Sequence, residues 1–251
     1  MRRTPVLVAM LAFTAGACLN PVVPSSPGQT TIPGQTSTPS QAAMATEPPG
    51  TPIPGFADWQ LINPQAVHVS VDGGALVLDL VRSALWYNDR AGVLFHREVS
   101  GDFRATATVR TAKASDPSAP PGQDGTVQLA GLMARTEGPA ENYVFIVSGS
   151  IGTSTGLETK TTEASRSIYI QRALPTGGDA ELRLCRIGST FYLWWRHVDT
   201  TEDWTHMSTL DRKDMPPILQ VGANIYTAAR PDIVARFEHL TIERLGAGAA
   251  C

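Results

Sequence analysis

The side chains best suited to chemistry in this sequence are aromatic, and they are densest in residues 191–196. In an extended strand, successive side chains point to opposite faces. One face therefore carries Phe191 and its alternate neighbours, and the other carries Tyr192 and Trp194. Large aromatic side chains on a solvated sheet face are what stacking on a sugar ring requires. We predict Tyr192 and Trp194 as ligand contacts, with burial of both faces as an equally weighted alternative.

Further candidates combine aromatic rings with amide groups. Trp86 and Asn88 lie in one such cluster, Tyr143 lies in a second, and Asn224 falls in a late strand. Carbohydrate sites combine aromatic planes with groups that hydrogen-bond hydroxyls. These four side chains are therefore predicted to line a ligand site.

The sequence contains no recognisable motif for a metal site or a serine nucleophile. The histidines are scattered, without the spacing that organises a transition-metal site. No Gly-x-Ser-x-Gly elbow presents a serine nucleophile. We expect no metal and no cofactor, although a structural Ca²⁺ held by loop oxygens stays open.

Short alternating runs separated by turn residues must position these candidates. The clearest pair is residues 67–71 and 75–80, joined by Asp72-Gly73-Gly74, which predicts a hairpin. None of the runs keeps the period of an amphipathic helix. The pattern predicts a single all-β domain, an antiparallel sandwich or barrel.

Two charged stretches carry their own predictions. Residues 156–167, with Glu158 and Lys160, are predicted as an edge hairpin with a solvated face, and the rim of a groove is the alternative. Glu238 and Glu243 are an odd number of positions apart, which predicts that they point to opposite faces of a strand.

Several short motifs resemble the successive signatures of one β-sandwich family. They are Trp86-Tyr87-Asn88 and residues 99–103, 131–135, 182–188 and 191–204. The family is an uncharacterised bacterial one, sometimes labelled regulation-of-enolase-like, within the concanavalin A-like lectin and glucanase superfamily. The resemblance spans nearly all of residues 56–245 and implies a two-sheet antiparallel jelly-roll sandwich. Its members look like carbohydrate-associated extracellular modules, either alone or attached to glycosidases.

Catalysis is the main alternative to binding. Glycosidases of that superfamily carry two glutamates around an aspartate at alternate positions of one strand. No Glu-x-Asp-x-Glu run or close variant occurs here. An acid and base could still come from separate strands, as with Glu98, Glu141, Glu158 and Glu181, but no spacing singles out a pair. We therefore predict no catalytic residues.

The first residues are typical of a bacterial lipoprotein. Arg2 and Arg3 precede an apolar run over residues 5–17 that ends in small residues just before Cys18. We predict a signal peptide over residues 1–17 and lipidation at Cys18, with plain secretion as the alternative. A membrane-spanning helix is disfavoured because the run is shorter than about 20 residues. Leu19, where an aspartate commonly retains lipoproteins at the inner membrane, favours the outer membrane or the cell surface.

The rest of the chain divides by composition. Residues 18–54 are rich in Pro, Ser, Thr, Gly and Gln and contain a single charged residue, Glu47, which predicts a flexible tether. The sandwich is expected over residues 55–245, and residues 246–251 are expected to form a flexible tail. A disulfide between Cys185 and Cys251 is conceivable, but the sequence does not supply the geometry that it needs.

The formal net charge of -3 and the lack of a basic stretch argue against a nucleic acid partner. The sequence as a whole predicts an extracytoplasmic, lipid-anchored binding module for a glycan, without chemistry of its own. A glycoside hydrolase of the same superfamily and a protein-interaction component of the cell envelope are the alternatives.

Overall fold

The computed structural model describes residue 53 and residues 55–86, 92–122, 125–138, 141–174 and 177–251. The predicted signal peptide, Cys18, nearly all of the predicted tether and Asn88 lie outside the described residues. Ile53, near the end of the predicted tether, packs against the hydrophobic core.

The described chain forms fourteen strands and one short 3-10 helix, η1 (Pro64–Ala66). The strands are β1 (Gln60–Ile62), β2 (Val67–Asp72), β3 (Ala75–Leu80), β4 (Val93–Ser100), β5 (Phe103–Ala112), β6 (Val127–Arg135), β7 (Tyr143–Ile151), β8 (Ser154–Glu163), β9 (Arg166–Ala173), β10 (Ala180–Ile187), β11 (Thr190–Arg196), β12 (Thr205–Asp211), β13 (Ile218–Thr227) and β14 (Val234–Arg244).

The strands pair into two antiparallel seven-stranded sheets. Sheet A has the order β1-β4-β13-β6-β7-β8-β9, and sheet B has the order β12-β11-β10-β5-β14-β3-β2. The sheets pack face to face over one large apolar cluster, to which both contribute alternate residues, as with Phe103 and Ala105 of β5. The predicted all-β, two-sheet antiparallel sandwich is confirmed. Within the described residues, no helix is long and apolar enough to cross a membrane.

The local predictions about turns and alternation are also confirmed. Asp72 pairs with Ala75 across the β2–β3 hairpin, and Gly73 and Gly74 between them both adopt positive φ. In β11, Phe191 and its alternate neighbours enter the core, while Tyr192 and Trp194 lie on the opposite face, half-buried.

The prediction that Glu238 and Glu243 point to opposite faces is wrong. A β-bulge in β14 shifts the register between Glu238 and Thr241, and His239 within it has φ 53. The bulge adds one residue to β14, so two side chains an odd number of positions apart, one on each side of it, point to the same face. Both glutamates therefore lie on the outer face of sheet B, where Glu238 accepts a hydrogen bond from Arg110 and Glu243 accepts one from Arg104.

The cysteine pairing that the sequence left open is present. Cys185 of β10 and Cys251 form a disulfide, with their Cα atoms 6.0 Å apart. Arg183 donates a hydrogen bond to the Cys251 carbonyl oxygen at 2.9 Å. Residues 246–251, expected as a flexible tail, are thus held to β10 at Cys251.

Candidate functional site

A second apolar cluster lies on the outer face of sheet A, the side turned away from sheet B. Half of its buried members are aromatic, and it is almost completely buried. Its buried members are Trp86, Leu94, Leu129, Met133, Tyr143, Phe145, Val147 and Tyr226. The outer face of sheet A is therefore covered and not solvated, and it is the candidate location of a functional site.

Asn224 lies near the centre of this face. Its Cα partners are Leu94 on one side and Gly131 on the other. Gly222, two positions earlier in β13, and Gly131 leave no room for a side chain. A Cβ added at either glycine would lie 2.7 Å from a backbone Cα of the neighbouring strand, at His96 and at Val147 respectively. The glycines therefore leave a floor without side chains beside the Asn224 amide.

The polar atoms here lack protein partners. Both amide atoms of Asn224, the Nδ1 of His96 and the Nε1 of Trp86 are buried and accept or donate no hydrogen bond within the described protein. Asn224 is 0% exposed, and His96 and Trp86 are each 2% exposed. Buried polar groups are nearly always hydrogen-bonded, and exceptions gather at functional sites. Three such side chains on one face make it the candidate site.

The imidazole of His96 is neutral at ordinary pH. Burial, together with the positive charge of Arg135, lowers its pKa from 6.5 to about 4. A neutral imidazole can donate at one ring nitrogen and accept at the other. This suits an uncharged, hydroxyl-bearing ligand better than an anion.

Trp86 lies across the outer face of sheet A. Its indole contacts the backbone at Gly92, where an added Cβ would overlap the ring, and the Arg135 guanidinium lies 5.4 Å from the ring centre. Its carbonyl oxygen accepts hydrogen bonds from Tyr143 Oη at 2.5 Å and from Lys160 Nζ at 3.3 Å. The indole thus lies against both Gly92 and the Arg135 side chain, as part of the cover of this face.

β8, with Glu158 and Lys160, and its neighbour β9 lie at one side of the cluster. Glu158 of β8 is 5% exposed and accepts hydrogen bonds from Tyr226 Oη at 2.8 Å and from Gln171 Nε2 at 2.6 Å. Burial lowers the pKa of Lys160, and the charges of Glu158 and Glu141 oppose that shift. Burial raises the pKa of Tyr143 to about 12. The solvated face predicted for Glu158 is therefore wrong, because β9 and the aromatic cluster cover it.

Tyr192 and Trp194 lie elsewhere, on the outer face of sheet B. Trp194 packs edge-on against His206, with 4.9 Å between ring centres. Near it, the ring of Trp204 lies between the guanidinium groups of Arg183, at 3.9 Å, and Arg196, at 4.7 Å. These cations lie against the ring of Trp204, while His206 packs against Trp194.

The structure therefore divides the predicted residues. It places Trp86 and Tyr143 in contact on the outer face of sheet A, puts Asn224 on the same face, and leaves Tyr192 and Trp194 on sheet B. Sequence reasoning did not identify His96 and Glu158 as lining residues. The alternation of β4 and β8 could have placed them on that face only if the strand order had been known.

Among the described residues, no group of three or more His, Cys, Asp or Glu side chains is placed to hold a metal ion. The outer face of sheet A offers amide, imidazole, indole and carboxylate groups that can form hydrogen bonds between aromatic rings.

No protein-family model matches the sequence, and no curated protein does. Solved structures match the fold. A functionally unknown protein from Saccharomyces cerevisiae has a TM-score of 0.60 at 14% identity, over 76% of this chain and 98% of that one. The GH43 protein BlXynB of Bacillus licheniformis has a TM-score of 0.56 at 13% identity, over 75% of this chain and 37% of that one.

A GH43B protein of a Bacteroides ovatus xyloglucan locus has a TM-score of 0.54 at 16% identity, again over 75% of this chain and 37% of that one. At such identities the likeness concerns the fold alone. The chain shares its two-sheet sandwich with these proteins, and its function has to be argued from its own side chains.

Proposed function

We propose that this protein is a non-catalytic carbohydrate-binding module, exported and anchored by a lipid at Cys18, that binds a glycan on the outer face of sheet A. The observation that carries the proposal is the Asn224 amide, which is fully buried and has no hydrogen-bond partner for either atom among the residues that the structure describes. Leaving such a group unpaired costs about 1–3 kcal/mol. A bound ligand that pairs with it offsets this cost.

The chemistry of the site fits a sugar. An amide donates to one hydroxyl and accepts from another, so neighbouring hydroxyls on one sugar ring match its two ends. Phe145 and Tyr226 supply apolar ring surface beside it, with 5.6 Å between their ring centres. Aromatic planes with a few convergent polar groups are the usual make-up of a small-ligand site.

The test is a glycan-array screen of the purified protein and of the variant Asn224→Val. The variant should lose binding at least about tenfold, because it removes both hydrogen-bonding atoms. It should also unfold at a temperature about 2–4 °C higher, because it removes an unpaired buried amide. A gain in stability together with a loss of binding distinguishes a site residue from a structural one.

The matched control is Trp194→Ala, on the outer face of sheet B. Its glycan binding should equal that of the unchanged protein. Binding that is lost in Trp194→Ala and kept in Asn224→Val would move the site to sheet B. No glycan bound by a folded sample would remove the proposed function.

Glycoside hydrolysis is a second candidate because two buried glutamates lie near Lys160. Glu141 is 4% exposed and Glu158 is 5% exposed, and both charges act on Lys160. Acid and base catalysis of hydrolysis uses two carboxyl groups, about 5–9.5 Å apart. Product released from any array hit, and abolished in Glu158→Gln, would favour this function over binding alone.

A further inference from the structure

The two sheets end side by side on one flank of the sandwich. β9 is the edge strand of sheet A, and β12 is the edge strand of sheet B. The sheets contact each other here through the hydroxyl groups of Thr159 and Ser208, 3.0 Å apart. Beyond this contact, β9 overhangs β12 and leaves a groove of about 620 Å³ between the two edges.

β9 is unusually apolar for an exposed edge. Ile168, Tyr169 and Ile170 are 71%, 60% and 51% exposed, and the strand runs for eight residues without a proline. Natural edge strands are normally short, charged or covered, because their free N–H and C=O groups pair with any extended chain. β9 carries none of these protections over its central residues.

One side of β9 faces the groove. Ile168 lines it together with Leu210 of β12. Ile170 lines a smaller cleft beside Ser208, which is also in β12. Arg172 continues this side, with its guanidinium 5.9 Å from the ring of Trp195. Because side chains alternate along a strand, Arg166, Ile168, Ile170 and Arg172 all point toward sheet B.

The charges at the two ends of this row are positive. Among the described residues, no carboxylate forms an ion pair with Arg166 or Arg172. Glu163 and Asp211 line the groove together with Arg166 and Arg212, so the charges at that end offset one another. The end at Arg172 is therefore the more strongly basic one.

We propose that β9 is a docking edge for an extended segment of another protein, which adds a strand to sheet A and closes the flank. Directly opposite residues share a face. The partner segment therefore places apolar side chains opposite Ile168 and Ile170 and an acidic one opposite Arg172. Main-chain hydrogen bonds to β9 hold the segment, and the alternate side chains select it.

Two other occupants fit less well. Antiparallel pairing of two copies of β9 about Tyr169 would set Arg166 opposite Arg172 at both ends, and like charges directly opposite are destabilising. The chain's own residues 19–54 have no alternating apolar run and only one acidic residue, Glu47. The pattern on β9 thus favours a different protein.

The experiment measures fluorescence anisotropy of two labelled, end-capped peptides with the purified protein. One peptide is Asp-Thr-Val-Thr-Val-Thr-Glu, and the other replaces both acidic residues by lysine. The acidic peptide should bind about tenfold more tightly, since the swap exchanges attractive for repulsive cross-strand pairs. Arg172→Glu should remove or reverse this preference.

The double variant Ile168→Thr/Ile170→Thr should abolish binding of the acidic peptide while the fold persists, because both side chains are already exposed. Ile218→Thr is the matched control, since Ile218 is 54% exposed on β13, away from β9. Equal affinity for the two peptides, or binding that the double variant keeps, overturns the proposal.

Two further outcomes would also overturn it. A dimer in solution that the double variant dissolves would assign the edge to a second copy. Cosedimentation with phosphatidylcholine–phosphatidylglycerol vesicles that the double variant loses, without selectivity between the peptides, would assign it to a membrane surface. Because β9 is tested with peptides and Asn224 with glycans, failure of one proposal leaves the other standing.

Discussion

A single residue, Asn224, carries most of the functional argument. Strands in the middle of a sheet favour β-branched and aromatic side chains, and asparagine is among the residues depleted there. Here it lies between Leu94 and Gly131 in a central strand, fully buried and without a hydrogen-bond partner in the described part of the chain. A residue that opposes both strand preference and polar satisfaction is best explained by a task other than folding.

His96, on the neighbouring strand, gives a prediction about pH at the same scale. Its pKa in the folded protein is about 4, against 6.5 ordinarily. Between these values the unfolded chain binds a proton that the folded protein does not bind. Its contribution to stability is therefore complete above pH 6.5 and is lost as the pH falls toward 4. The loss amounts to roughly 3 kcal/mol.

Urea unfolding of the protein and of His96→Gln, at about pH 7.5 and pH 4.5, measures this contribution, since the glutamine variant has no titrating group there. The unchanged protein should lose more free energy of unfolding on acidification than the variant does. Equal losses would show that His96 does not titrate in this range.

At the scale of the element, Gly131 of β6 and Gly222 of β13 allow these two strands to pack closely against their neighbours, β7 and β4, beneath the aromatic cluster. At Gly222 and Gly131 the backbones of β4 and β7 occupy the place where a side chain would begin. These strands therefore admit only glycine at these points, although glycine weakens a strand elsewhere.

We predict that Gly222→Ala lowers the free energy of unfolding by about 3 kcal/mol, because the added methyl group forces two central strands apart. Gly246→Ala is the control, since nothing lies within 4 Å of the added Cβ, and its effect should stay within about 0.5 kcal/mol. Chemical denaturation measures both. A Gly222→Ala protein as stable as the control would mean that the strands can separate without cost.

At the scale of the whole molecule, the disulfide links β10 to residues that follow the last strand. Cys185 and Cys251 are 66 positions apart, so the loop that they close contains β11 to β14. Closing a loop of this length removes conformational entropy from the unfolded chain and stabilises the folded one by about 4 kcal/mol.

Cys251→Ser should therefore unfold at lower urea concentration, and a reducing agent should lower the stability of the unchanged protein to the same level. The reducing agent should leave the variant unaffected. Mass spectrometry under non-reducing conditions checks that the bond has formed. If reduction does not change the unfolding curve, the bond contributes nothing to the stability of the sandwich.

The sequence alone determined the class of fold, because period-two alternation and glycine turns act over a few residues. The β2–β3 hairpin and the two faces of β11 followed from such local rules. The β14 bulge did not follow, since a single left-handed residue at His239 leaves no trace in composition.

Only the tertiary structure decided which candidates belong together. Tyr143 of β7 and Asn224 of β13 come to the same face because the order β13-β6-β7 leaves one strand between theirs. Trp86, which precedes β4, packs against Tyr143 on that face. Tyr192 and Trp194 are separated from them because β11 belongs to the other sheet. Strand order depends on long-range packing of whole faces, which no stretch of sequence contains by itself.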